Sequence, residues 1–156
     1  MSIMARTPLI TILLGMSVAT RLVAAEPSRL DKLMGKHPHG IPWHVEILDA
    51  DGRAQGSLDL VITAQHANSC LGDIGGDGLR VEFTKIDALP STLHVQSYGA
   101  AKISGDAIKI DLTGGLCDAY LLMSGPLAPD GSSSGDVYTF GMRGGHDVAK
   151  YRATVK

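Results

Sequence analysis

The feature that most constrains this chain is an alternation of apolar and polar residues with a period of two, cut at short intervals by glycine-rich turns. Leu79, Val81 and Phe83 alternate with Arg80, Glu82 and Thr84, and Ile108, Ile110 and Leu112 alternate with Lys109, Asp111 and Thr113. Leu58, Leu60 and Ile62 repeat the pattern beside Ser57, Asp59 and Thr63, with Val61 as the single departure. Successive side chains of a strand point to opposite faces, so these segments are strands with one buried and one wet face. Asp49-Ala50-Asp51-Gly52, Ser104-Gly105-Asp106 and Pro129-Asp130-Gly131 read as hairpin connections, and Gly75-Gly76-Asp77-Gly78 and Gly144-Gly145 break the chain elsewhere.

About eight to ten strands result. The candidates are Trp43–Leu48, Leu58–Gln65, Leu79–Lys85, Thr92–Tyr98, Ala107–Thr113, Cys117–Met123, Asp136–Met142 and Val148–Val155. Connections this short make each strand pair antiparallel with its sequence neighbour. A flat meander of that length would leave an apolar face uncovered and two edges open, and closure removes both problems. The expected fold is all-β: an antiparallel up-and-down β-barrel of about eight strands with a short N-terminal helix. A two-sheet β-sandwich is the alternative. The helix is signalled by Ser28 as N-cap with Asp31 three residues on, then Leu30, Leu33 and Met34 at helical spacing, stopped by Gly35 and Pro38.

The first residues belong to a different plan. Met1 to Arg6 carries positive charge, Leu9 to Ala19 is apolar, and Val23-Ala24-Ala25 supplies small residues before Glu26, the pattern of a secretory signal peptide. The apolar run is shorter than the ~20 residues a membrane-spanning helix needs. The expected division is a signal peptide over 1–25, a short helix and linker over 26–41, and a barrel domain over 42–156, exported to the periplasm or the medium. At 156 residues, 44% of them hydrophobic, the chain can bury one core.

Loss of Arg6 and Arg21 with the leader leaves 12 of 14 basic residues against 16 acidic ones, a net charge of −4. Lys and Arg are scattered singly, with only seven aromatics in all, which excludes a nucleic-acid partner. In an oxidising compartment Cys70 and Cys117, the only two cysteines, are expected to form one disulfide.

Reaction chemistry is hard to find. Gly131-Ser132-Ser133-Ser134-Gly135 spells G-x-S-x-G, but a nucleophile elbow needs a strand before and a helix after, whereas a strand follows here. Gly75–Gly78 and Asp49–Gly52 lack the later carboxylates of calcium loops. His37, His39 and His44 are close enough in sequence to suggest a zinc set, yet Pro38 and Pro42 fix extended or turn backbone between them, and a linker with incidental histidines is the preferred reading. No enzyme, metal or cofactor is expected.

Two resemblances point to binding instead. A short helix ending at Leu33-Met34-Gly35, then Trp43 on the first strand and a meander closed by a strand bearing Arg152, resembles the calycin plan of lipocalins and related barrels. That resemblance implies that Arg152 covers the face of Trp43 at the closed end, a cation–π contact of ~1 kcal/mol. The string Ser133-Ser134-Gly135-Asp136-Val137-Tyr138, with S-G-x-x-Y leading into a strand, is similar to the loop of periplasmic lysozyme inhibitors. The similarity implies that Ser134, Gly135 and Tyr138 contact a protein partner, and Ser133 and Asp136 beside them complete the expected partner-binding set. A plain hairpin tip is the competing reading of the same residues. The expected function is an exported, non-enzymatic binding protein, an inhibitor of a hydrolase such as lysozyme or a protease. The alternative is a carrier of a small apolar ligand inside a lipocalin-like barrel.

Overall fold

The computed structural model describes residues 27–141 and 144–156, so the expected signal peptide and Met142 lie outside the described residues. The protein is an all-β, closed, eight-stranded antiparallel barrel with one short helix, which removes the sandwich alternative. Helix α1 (Arg29–Lys36) is followed by β1 (Ile41–Leu48), β2 (Ala54–Ala67), β3 (Gly78–Asp87), β4 (Gly99–Ser104), β5 (Ala107–Asp111), β6 (Ala119–Pro126), β7 (Ser133–Gly141) and β8 (Gly144–Val155). Each strand pairs with its sequence neighbour, and β8 closes on β1 with Trp43 opposite Val155 and Glu46 opposite Arg152.

Alternation explains the core. In β1 the residues Ile41, Trp43, Val45 and Ile47 point inward and are at most 1% exposed. Leu58, Leu60, Ile62, Val81, Ile108, Ile110, Met123, Val137 and Tyr151 join them in one contiguous interior cluster. The barrel is filled by its own side chains, one of the two states open to eight strands, which can otherwise enclose one small ligand.

One end is shut by α1. Ser28 caps it in a reciprocal capping box with Asp31, and Leu33 from its buried face enters the core. Gly131, at a φ of +87°, lies against Leu33 and Val155, where a Cβ would sit 2.6 Å from Val155, so the β6–β7 connection packs onto the helix only because this residue is glycine.

The strand expected over Thr92–Tyr98 is not formed. That segment belongs to the β3–β4 connection, which drops Leu93 into the core, and the strand is Gly99–Ser104 instead. Its Gly99, Ala100 and Ala101 are all buried, because both faces of this first half of β4 are covered, and alternation resumes only at Lys102, Ile103 and Ser104.

The cover on the outer face is the β2–β3 connection, residues 68–77. Ile74 and Ala67 pack with Ala100 and Leu122, which point out of the barrel. The Ser69 hydroxyl donates to Asp111 Oδ2 at 2.6 Å, and Cys70 is disulfide-bonded to Cys117 in the β5–β6 connection. The disulfide therefore staples two connections rather than two strands. No helix among the described residues is long and apolar enough to cross a membrane.

Candidate functional site

The S-G-x-x-Y residues form no protruding tip. All five lie within β7, and the turn itself is Leu127–Ser132, where Asp130 accepts from the Ser132 backbone N–H at 2.9 Å and from its hydroxyl at 2.7 Å. These bonds hold the Asp130 carboxyl below its usual range.

Along β7 the five side chains separate by face. Ser133 points inward, 5% exposed, with its Oγ 2.7 Å from the Tyr151 hydroxyl. Burial pushes the Tyr151 phenol up, against the opposing effect of the Ser133 bond. Ser134 is exposed. Gly135 makes the closest approach to β6: a Cβ there would lie 2.1 Å from the Ser124 carbonyl oxygen and 2.9 Å from Gly125 Cα. Asp136 accepts from Lys150 Nζ at 2.7 Å on the outer face, and this ion pair, with a lesser contribution from Tyr138, lowers its carboxyl. Tyr138 packs against the outer cluster under residues 68–77, and desolvation first, then Asp136 and Asp147, raise its phenol.

Ser133 and Ser134 share a groove with residues that sequence reasoning placed elsewhere or missed. It has a volume of about 540 Å3 and is lined by Arg29 from α1, Asp106 from the β4–β5 turn, Ser132 to Ser134, and Arg152 and Thr154 from β8. The Arg29 guanidinium donates to the carbonyl of Leu127, which lines the same groove. Two guanidinium groups, that of Arg152 in an exposed pair with Glu46, stand with several hydroxyls beside the single lining carboxylate of Asp106, an arrangement that suits recognition of anionic oxygen, above all a carboxylate, which an arginine fork binds in bidentate fashion.

The expected contact between Arg152 and Trp43 is not made. Arg152 and Trp43 have opposite parity on facing strands: Trp43 points in, 1% exposed, whereas Arg152 points out with its Nη1 3.4 Å from Glu46 Oε2. Trp43 Nε1 is buried without a hydrogen-bond partner among the described residues, and the cation–π contact that does form is Arg80 over Tyr98, 4.7 Å from the ring centroid. Arg152 thus lines the groove while paired with Glu46.

The three histidines of the linker are not brought together. His37 is the C-cap of α1, His39 lies in the following turn, and His44 on the outer face of β1 has Nδ1 2.7 Å from Asp59 Oδ1. No set of three or more His, Cys, Asp and Glu side chains converges as metal ligands among the described residues. Asp59 also accepts from Lys156 Nζ at 2.5 Å, and Lys156 first, then His44, lower its carboxyl.

Arg29 is the groove residue that the sequence concealed, since a basic residue in the first turn of a helix carries no signal of its own. Comparison with family models, curated proteins and solved structures finds no match to the chain, so the groove's own geometry bears the functional argument.

Proposed function

We propose that this chain is an exported, non-enzymatic binding protein that captures a protein partner in the groove between α1, the β6–β7 connection and β8. The observation that carries this reading is that Arg29 and Arg152 line the groove together with Ser134 and Thr154. Such a concave, arginine-flanked surface receives an acidic segment of the partner rather than inserting a loop into it. The reading extends to an inhibitor of a cell-wall hydrolase such as lysozyme, or of a protease, bound through an acidic segment on the surface of that enzyme. Export is supported by the charged and apolar leader pattern together with the Cys70–Cys117 bond.

The filled interior favours the groove over a ligand carried inside the barrel, because Trp43, Leu60, Ile62, Ile110 and Met123 occupy the space such a ligand needs. The test is a pull-down of the mature protein against cell-wall hydrolases and secreted proteases, repeated with Ser134→Ala, Arg152→Gln and Arg29→Gln. Each arginine variant is expected to weaken capture about tenfold or more, as loss of a charge-assisted bidentate contact does. Undiminished capture by both removes the groove from the account.

A further inference from the structure

A second site lies on the outer face, away from the groove. The register of β4 and β5 sets Lys102 directly opposite Lys109. Like charges facing each other across a strand pair repel, and alternation keeps both out of the core. Among the described residues one carboxylate answers them: Asp73, from the 68–77 connection, is ion-paired with Lys109, and its carboxyl is held low by Lys109 and to a lesser degree by Lys102. Two ammonium groups against one carboxylate leave one positive charge uncompensated. The Asp73 side chain is 73% exposed, and so open an ion pair is weak and exchanges readily with solvent.

The Asp73–Lys109 pair stands between two hollows. One, of about 220 Å3, is completed by Lys102, Ser104 and Ala107. The other, of about 270 Å3, is walled chiefly by Leu71, Ile74, Leu122 and Phe140. Phe140 is 38% exposed, an unusual placement for a large aromatic, and its ring lies over Gly145 of the neighbouring strand. Each hollow alone falls below the ~300–1,000 Å3 usual for small-molecule sites, whereas the two joined through a movable carboxylate reach it.

We propose that these hollows form one bipartite site for a small amphiphilic carboxylate. Its anionic head takes the place of the Asp73 carboxylate on Lys102 and Lys109, and its aliphatic chain lies along Leu71, Ile74, Leu122 and Phe140. Asp73 is then a built-in competitor, holding the head position when the site is empty. The ligand class follows from charge and polarity side by side: an inorganic anion leaves the apolar wall wet, and an uncharged alkyl chain leaves the lysines uncompensated.

The test is calorimetric titration of the mature protein with decanoate below its micelle concentration, with decanol and inorganic phosphate as comparison ligands. Decanoate is expected to bind with one-to-one stoichiometry, and decanol and phosphate at least tenfold more weakly. Lys102→Gln is expected to weaken decanoate about threefold to fivefold and Phe140→Ser about tenfold, while Asp73→Asn tightens it about twofold to fivefold by removing the competitor. All three substitutions are at the surface, and circular dichroism verifies the fold of each. Failure of decanoate to bind, equal affinity for decanol, or affinity unchanged in both Lys102→Gln and Phe140→Ser would overturn the proposal. None of these outcomes bears on partner capture by the arginine groove.

Discussion

Asp111 shows how a single residue departs from the pattern that places it. Alternation puts it on the outer face of β5, where a carboxylate is ordinarily solvated, yet it is fully buried beneath residues 68–77. Three donors compensate: the Ser69 hydroxyl at 2.6 Å, the Thr113 hydroxyl at 2.5 Å and the Thr113 backbone N–H at 2.9 Å. Asp111→Ala leaves those donors without their acceptor, and a loss of about 1–3 kcal/mol is expected in denaturant unfolding. Asp59 yields a pH prediction. Its carboxyl is depressed in the folded state by Lys156 and His44, so the stability it contributes is present above the unfolded value of about 4 and is lost as pH falls through the lower folded value. In Asp59→Asn, unfolding free energy followed below about pH 4 is expected to fall less steeply with acid than in the parent protein. The outward position of Asp59 was legible in its strand pattern. Its partner Lys156 was not, because only barrel closure brings the last residue beside β2.

Elements were legible in proportion to how fully one face of each is wet. The helix could be read from Ser28, Asp31 and Leu33, and it forms with both halves of the capping box. β1, β2, β3 and β5 could be read from alternation, with ends that shift by a few residues: β1, β2 and β3 pair beyond their expected bounds, whereas β5 stops at Asp111, before Leu112 and Thr113. β4 could not, since Ala100 and Ala101 are buried on opposite faces, and the alternation of Leu93 and Val95 just before it comes from core-directed loop residues. The 68–77 cover is the element that produced this failure, and its attachment is testable. Replacing both Cys70 and Cys117 by serine is expected to lower stability by roughly 2–4 kcal/mol. Hydrogen exchange should quicken first in residues 68–77 and in the β5–β6 connection, while β1, β2 and β8 keep their protection. Uniform loss of protection would show that the staple holds the barrel rather than the cover.

At the scale of the whole molecule, the barrel was legible because short connections and an uncovered apolar face leave closure as the economical solution. Which side chains meet on its surface was not legible, since the groove draws Arg29, Asp106, Ser134 and Arg152 from four separate elements. Likewise the S-G-x-x-Y string was visible, but its division between the interior, the groove and the outer cluster depends on strand parity and on the Gly135–Gly125 approach. These features describe a solid barrel, and the proposed binding sites lie on its outside. Trp43, the only tryptophan, sits inside with its indole N–H unpartnered among the described residues and reports on that claim directly. The decisive measurement is acrylamide quenching of Trp43 fluorescence in the purified protein, alone and with saturating apolar ligand. A filled barrel predicts blue-shifted emission and slow quenching, both unchanged by the ligand. Rapid quenching in the free protein, or protection and a spectral shift when ligand is added, would mean that the interior is open and that the functional site lies there.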